Sequence, residues 1–454
     1  MKILFVSRYV DPAPVGSNKN VFLQARGLKE KLNIDVSILT WPHNDLWKGP
    51  IPESSLQIPA TTCERSGITY HVITAPELWN EMASGDSLDD ATWEAAVAYG
   101  MRLLAALAPD IVHLQHRHGF WWILDSAQRL GIKTVYSNHD WGMACLRTVL
   151  VKGDQTLCDA EVEVNKCADC VKSGRRTLGA LNEKLVSYDV GVSLLAALKK
   201  LGMGSVLKQR GIVTRPAAVR TSDNLKRVKR VVSNLSHCIT PSNFGKNFFS
   251  QFGLEKNAIT VLPWYYDVSV KESVGLAQAQ PFTITYVGRL SPEKGVHQVF
   301  DVLKDLDDID PITFRIAGAV DSEYAKNLKE KYSSNIGKHS IEWLGWMTVD
   351  GLYQTTDVSI IPSLWMDNTP LSLVESLAYR VPVIATRVAP IAEFLQENST
   401  GFMAEYGSNA SLADAIRRAH RMKTAIRAKQ ISFPDIMSLE QYVAQVSAVY
   451  RTLM

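Results

Sequence analysis

Hydrophobic and polar positions along this chain fall into two alternating signals. Short apolar runs closed by Gly, Pro, Asn or Asp predict buried strands at 2–7, 35–40, 110–114, 134–138, 237–242 and 259–263. Between them lie stretches with apolar residues at helical spacing. Phe22, Ala25, Leu28 and Leu32 predict a helix over 21–31, and others are expected at 92–107 and 243–252. Residues 11–20, rich in Pro, Gly, Ser and Asn, read as a loop, and 178–232 reads as helices and loops. The segment 41–90 carries many Pro, Ser and Trp residues and reads as surface decoration. Residues 268–280 are polar and uneven, as a linker is. A second series then opens, with strands at 282–287, 314–317, 341–344 and 358–361 and helices between them. Strand–helix alternation on this scale is the mark of parallel sheets, so the fold class is α/β with two Rossmann-like domains. The expected division is 1–265, 281–430, and a last segment 431–454 whose helix at 439–452 crosses back to the first domain.

The most informative stretch is 360–394. Val358-Ser359-Ile360-Ile361 ends a strand and Pro362 stops it. Thr369 stands where a helix N-cap belongs and Pro370 where the first helical residue belongs. Leu371, Leu373, Val374, Leu377 and Ala378 give that helix an apolar stripe; Pro382 follows it, and 381–385 reads as the next strand. Such a strand–loop–helix unit aims the backbone N–H groups of Leu371 and Ser372 at the loop, a geometry that favours an anion such as phosphate. Glu375 lies further into the helix, placed to accept hydrogen bonds from hydroxyls such as those of a ribose.

A second loop, Gly288-Arg289-Leu290-Ser291-Pro292-Glu293-Lys294-Gly295, follows the strand ending at Val287. Gly288 permits close backbone approach. Arg289 offers a planar fork and Lys294 a point charge, a pair suited to bracketing a diphosphate. Cations there could take the place of a divalent metal, which makes metal-independent chemistry the expectation.

Together the two segments resemble the nucleotide-sugar half of glycosyltransferase family 4, retaining enzymes of the GT-B fold in which two Rossmann-like domains face each other across a cleft. That family carries E-x7-E, often with E-N-S-P before the helix. Here the segment is Asp367-Asn368-Thr369-Pro370 with Glu375, so Asp replaces the first Glu and the carboxylate is one methylene shorter. The resemblance implies that Asp367 approaches the transferred sugar and that Glu375 holds ribose. It implies that Trp346 and Met347 lie at the base pocket, with core packing the competing reading. It also implies retention of anomeric configuration, and a front-face mechanism in which the leaving phosphate accepts the acceptor's proton. The first loop of the family is glycine-rich and approaches both substrates; only Gly16 remains of it here, in Val15-Gly16-Ser17. His139-Asp140, after the strand at 134–138, resembles the family's H-D at the junction of donor and acceptor. Pro263-Trp264-Tyr265-Tyr266-Asp267 resembles the segment that ends its first domain. Arg289, Lys294, His139, Asp140 and Asp367 are thus the expected catalytic residues, with Gly288, Asn368, Thr369, Pro370, Leu371 and Ser372 on the donor. His113, His116 and His118 also follow a strand but read as structural.

Cysteine use adds one feature. Cys145, Cys158, Cys167 and Cys170 cluster in a chain with six cysteines in all. Only the last pair, C-x2-C, has recognised metal spacing. Thiolates clustered in this way suit a structural tetrahedral zinc; reduced thiols and redox or iron–sulfur use are the other readings. A subset of family 4, with H-D-x-W, C-P-R and a later C-x-x-C, resembles this arrangement. Cys63 and Cys238 read as isolated thiols.

Totals exclude more than they assign. Hydrophobic content of 46% and charged content of 21% are ordinary for a globular chain, and a net charge of +3 does not argue for nucleic acid. No apolar run approaches a membrane span. The start, Lys2 to Ser7, reads as a buried strand and not as a signal peptide, so a cytoplasmic protein is expected. Between 199 and 230 ten basic residues stand against one acid, Asp223. That is a solvated face, or a patch contacting an anionic polysaccharide or anionic lipid at the inner face of the cell membrane. The expected partners are a nucleotide-diphosphate sugar and a glycan or lipid-linked acceptor. Two alternatives remain: an epimerase of sugar nucleotides with the same architecture, and a sugar-nucleotide-binding protein without turnover.

Overall fold

The computed structural model describes residues 1–7, 16–41, 60–73, 90–117, 119–145, 147–176, 217–266, 280–332 and 336–454. The first domain runs β1 (Lys2–Val6), α1 (Gly16–Leu32), β2 (Asp35–Thr40), β3 (Ala60–Arg65), β4 (Ile68–Ile73), α2 (Asp90–Leu107), β5 (Ile111–Leu114), α3 (Trp122–Arg129), β6 (Lys133–Ser137), α4 (Val164–Arg176), α5 (Ala217–Ser233), β7 (His237–Thr240), α6 (Asn243–Ser250) and β8 (Ile259–Val261). The second runs β9 (Phe282–Val287), α7 (Val296–Leu303), β10 (Ile312–Ala317), α8 (Glu323–Tyr332), β11 (Ser340–Gly345), α9 (Asp350–Gln354), β12 (Val358–Ile361), α10 (Leu371–Ala378), β13 (Val383–Thr386), α11 (Ala389–Ala392), β14 (Gly401–Ala404), α12 (Asn409–Arg421), α13 (Lys423–Arg427) and α14 (Leu439–Leu453).

Each domain is built on one sheet. The first has strand order β3-β4-β2-β1-β5-β6-β7-β8 and the second β11-β10-β9-β12-β13-β14. All pairings are parallel except β3 with β4. Parallel strands are covered on both faces, which is why they read as continuous apolar runs. Ile3, Leu4, Phe5 and Val6 are all buried, as are all of β12 and β13.

The structure corrects three local expectations. Helix α1 begins at Gly16, inside the segment read as a loop, because a first turn of Gly, Ser, Asn and Lys has no apolar periodicity to announce it. Residues 60–73, read as decoration, form a hairpin whose turn residues Ser66 and Gly67 both have positive φ (50° and 76°), the signature of a two-residue type I′ turn. Helix α10 begins at Leu371, with Pro370 in the N-cap position, one residue later than read. Proline at φ −63° satisfies either position, so composition could not separate them.

The domains are docked along shared apolar core. One buried cluster contains Trp141 and Phe248 of the first domain with Met366, Leu373 and Leu377 of the second. Helix α14 starts in a capping box between Ser438 and Gln441 and packs on α1, where Gly27 leaves room for Val443: a Cβ there would lie 3.2 Å from Val443 Cγ1.

The basic segment differs in part from the expectation. Residues 199–216 lie outside the described residues. Within α5, Arg227 is buried, paired with Asp90 and stacked 5.4 Å from the Trp93 ring, while Arg230 Nη2 bonds Asp125 Oδ2 at 2.6 Å. Among the described residues, two of these cations therefore serve intramolecular ion pairs, and Lys226 and Lys229 stay exposed. No helix among the described residues is long and apolar enough to cross a membrane.

Candidate active site

In an open parallel sheet, ligands bind beyond the carboxyl ends of the strands where the strand order reverses. In the second sheet that point lies between β9 and β12. The loops that leave those two strands are 288–295 and 362–370. They are laid together by a bond from Leu364 N–H to the Glu293 carbonyl, 2.8 Å. Gly295 makes the approach possible: its φ is +70°, and a Cβ would fall 1.8 Å from the Pro362 carbonyl oxygen. At Gly288, φ +152°, the loop begins, with its carbonyl against Gly318.

The junction brings Lys294 to Asp367. Lys294 Nζ donates to Asp367 Oδ2 at 2.6 Å, and Ser363 Oγ donates to the same oxygen at 3.0 Å. The ammonium also stands 4.7 Å from the Trp365 ring centroid, a cation–π contact in a mostly buried setting. Arg289 is arranged differently. It is 66% exposed and its guanidinium pairs with Glu293 at 2.9 Å. The two cations share a loop, but only Lys294 is directed into the crevice.

The helix after the second loop meets the expectation for an anion-facing end. Leu373 N–H already bonds the Pro370 carbonyl at 3.0 Å, so Leu371 and Ser372 are the amides that precede intrahelical bonding. Thr369 has φ +54°, unusual for a β-branched residue. Its hydroxyl is buried without a hydrogen-bond partner, and so are Asn368 Oδ1, Ser291 Oγ and Trp365 Nε1. Buried polar atoms are nearly always bonded, so orphans concentrated on two touching loops mark a place that a polar ligand completes. Glu375 is half-buried on α10, and its charge, after burial, helps hold the Tyr353 phenol well above its usual range. Trp346 and Met347 follow β11 at the same end of the sheet. They are 58% and 40% exposed, which removes the core-packing reading for both.

The facing wall comes from the first domain. His139 follows β6 and its ring is stacked between His116 and Trp264, with centroids 4.7 Å away on each side. His139 Nε2 lies 2.8 Å from Gln115 Oε1, an acceptor only; Nε2 therefore carries the proton and Nδ1 is left as an acceptor. Burial, then the nearby His116 and His113, hold its pKa well below the usual range, so the ring is neutral at pH 7. Asp140 is the N-cap of the short turn 141–143, its Oδ1 accepting from Gly142 N–H at 2.7 Å. The walls touch directly: Asn368 Nδ2 donates to the Asn138 carbonyl at 2.9 Å and Trp141 Nε1 to the Met366 carbonyl at 2.5 Å.

His113 is bonded by Tyr450 and Ser137 at 2.6 and 2.8 Å and is structural, in keeping with its reading; His116 is bonded to Ser7 at 2.7 Å. His118 and the loop before Gly16 lie outside the described residues. Gly16 itself opens α1. Gln115, Ser363 and Trp365 were not singled out from sequence, and Trp264 stood only within the segment likened to the end of the first domain. Each lies within two residues of a position that was named, and strand-end position was the signal available. The four clustered cysteines line one cavity of about 440 Å³ beside this site, and none is in a disulfide. As they stand, no three His, Cys, Asp or Glu groups among the described residues are gathered closely enough to hold a metal ion.

Residues 270–432 match the family model described as glycosyl transferases group 1. The chain is 28% identical over 193 residues to an uncharacterized 41.2 kDa protein in the cps region of Klebsiella pneumoniae, covering 39% of this chain and 51% of that one. It is 26% identical over 227 residues to a lipopolysaccharide 1,2-N-acetylglucosaminetransferase of Salmonella typhimurium, covering 44% and 58%. The chain thus spans about half the length of the curated relatives it matches. Among solved structures it is similar to Anabaena HepE, determined with UDP and glucose, at a TM-score of 0.60 and 14% identity with both chains fully covered. It is also similar to a sucrose-phosphate synthase from Thermosynechococcus elongatus, at 0.59 and 15%, covering 100% of this chain and 98% of that one. The shared architecture is the GT-B fold, two Rossmann-like domains across a cleft.

Proposed function

We propose that this protein is a glycosyltransferase that moves a sugar from a nucleotide-diphosphate sugar to a glycan or lipid-linked acceptor. The observation that carries the reading is the Lys294–Asp367 contact, set among orphaned polar atoms at the switch point of the second sheet and faced by a neutral histidine. Breaking a glycosidic bond leaves charge on the departing phosphate, and preorganised donors stabilise it. Lys294, with Arg289 swung from Glu293 and the amides of Leu371 and Ser372, supplies them. Trp346 and Met347 offer an exposed apolar platform to the base, and Glu375 receives the ribose. The family match over residues 270–432 and the similarity in fold to a protein determined with UDP and glucose support the reading of a transferase with a nucleotide-sugar donor.

The finer chemistry belongs to the same proposal. Asp367 orients the sugar once Lys294 is drawn to phosphate. His139 Nδ1 accepts from a sugar hydroxyl at the junction. The anomeric configuration is retained through a front-face path in which the leaving phosphate takes the acceptor's proton. The side-chain cations act in the place of a divalent ion at the phosphates. A contact with anionic lipid through Lys226, Lys229 and the preceding basic residues would bring a lipid-linked acceptor within reach.

A thermal-shift screen with UDP, GDP and ADP, followed by donor-consumption assays with the sugars of the nucleotide that binds, tests the reading. One nucleotide should stabilise the protein, and Arg289→Ala should remove most of that stabilisation. Turnover should not depend on added magnesium or manganese, and the product's anomeric proton should show the donor's configuration. Near wild-type turnover in both Arg289→Ala and Lys294→Ala would sink the site.

A further inference from the structure

Among the described residues between the turn at 141–143 and α4, regular structure is confined to a bridge between Val151 and Leu157. Yet this stretch is fixed in place beside the donor loops. Cys145, Cys158, Cys167 and Cys170 come from three separate segments of it, the last two three residues apart on α4, and all line the one cavity. Ala160 N–H lies 3.4 Å from Cys158 Sγ. Four cysteines drawn from three segments to one cavity, in a chain with only two others, are the ligand set of a tetrahedral sulfur site. Arg147, Lys152 and Lys166 line the same cavity, with Asp154, Glu161 and Asp169.

We infer that these four cysteines form a structural site for one zinc ion. Four soft sulfur donors select zinc over the hard divalent cations, and a closed set leaves no position for substrate. Among the described residues no three such groups stand close enough for an ion as they are, so occupancy would draw the four cysteines together and release their protons. The ion would stiffen a clasp. Val149 presents its carbonyl to Met366 N–H at 3.1 Å, and the Tyr406 hydroxyl lies 2.9 Å from the Gln155 carbonyl and 3.1 Å from that of Leu364. Leu364 and Met366 lead into Asp367. The clasp's importance to catalysis rests on the donor site proposed above; the metal site does not.

Elemental analysis of the full chain should find about one zinc per chain. Cys145→Ser and Cys167→Ser should each lower that at least about 10-fold, and Cys63→Ser should leave it unchanged. If the serine variants fail to fold, cobalt exchange into the wild-type protein should give an intense thiolate-to-cobalt absorption. Amide exchange over 362–370 should speed up after strong chelation. Absent zinc with no cobalt band, iron with acid-labile sulfide in its place, or equal loss of zinc in Cys63→Ser would each overturn the site. Unchanged exchange in protein stripped of zinc would overturn the clasp. None of these readouts needs donor or acceptor, so a failure of the transferase reading stays distinguishable.

Discussion

Strand β12 has an aspartate beyond each end, and the two are used in opposite ways. Asp357, before the amino end, is closed on every side. Arg427 Nε and Nη2 donate to its two oxygens at 2.7 Å each, Thr283 N–H adds a bond of 2.8 Å, and both charged side chains are 1% exposed. Asp367, beyond the carboxyl end, takes bonds from Lys294 and Ser363 on Oδ2 alone and stands among polar atoms with no partners. A planar fork on a carboxylate is a fixed joint. A single ammonium on one oxygen can be exchanged for another anion. Both are aspartate–cation pairs in one domain, and what separates them is which end of a parallel sheet they occupy. The amino end builds the fold; the carboxyl end is kept incomplete for a ligand.

The strongest way to break that contrast is at the closed joint. Arg427→Ala strands a buried carboxylate and should lower the unfolding free energy by about 3–5 kcal/mol in urea titration, with turnover per folded molecule preserved. A loss of turnover without a loss of stability would put Arg427 in the site and erase the distinction. At the open pair the currencies should reverse. Lys294→Ala should lower turnover by about 10²–10³-fold, and stability by only about 1 kcal/mol because Asp367 keeps Ser363. Comparable destabilisation in the two variants would show that both ends are structural.

Acid sharpens the comparison in the facing domain. Burial, with His237 adding to it, depresses the His113 pKa to about 3, against 6.5 when exposed. Below pH 6.5 the unfolded chain binds a proton that the native state refuses, so stability is full above that pH and declines as pH falls toward 3. Between pH 6.5 and 5 the decline should be about 2 kcal/mol from this residue. His139 is shifted the same way. Denaturant titrations should show a shallower slope in His113→Gln, and an unchanged slope would mean that the imidazole charges inside the fold. The smallest effect is expected at the rim. Trp346→Ala should weaken nucleotide binding by about 1 kcal/mol, read by calorimetry, and leave the unfolding midpoint alone because the indole is exposed.

Much of the fold was legible because parallel strands covered on both faces write themselves as uninterrupted apolar runs, as Ile3 to Val6 and Val358 to Ile361 do. The hairpin at 60–73 was not, because edge strand β3 reads Thr, Thr, Cys, Glu, Arg after its first residue and writes no apolar run. In the candidate site, Lys294, Asp367 and Glu375 stood out one by one from strand ends and helix starts. That Lys294 grips Asp367 across 73 positions was invisible, since it depends on Gly295 letting two loops touch. The ring stack around His139 was hidden for the same reason: His116, His139 and Trp264 come from three strand ends that only the sheet order makes neighbours.

Several of the bonds that join the two domains share a chemical habit. Trp141 and Asn368 reach carbonyls of Met366 and Asn138, Tyr406 reaches that of Gln155, and Glu393 accepts the amides of Asn243 and Phe244. One partner in each is main chain, and main-chain atoms survive substitution of the residue that bears them. The main-chain side of these contacts is thus insulated from mutation, and side chains elsewhere on the first domain can change while the seam stays closed.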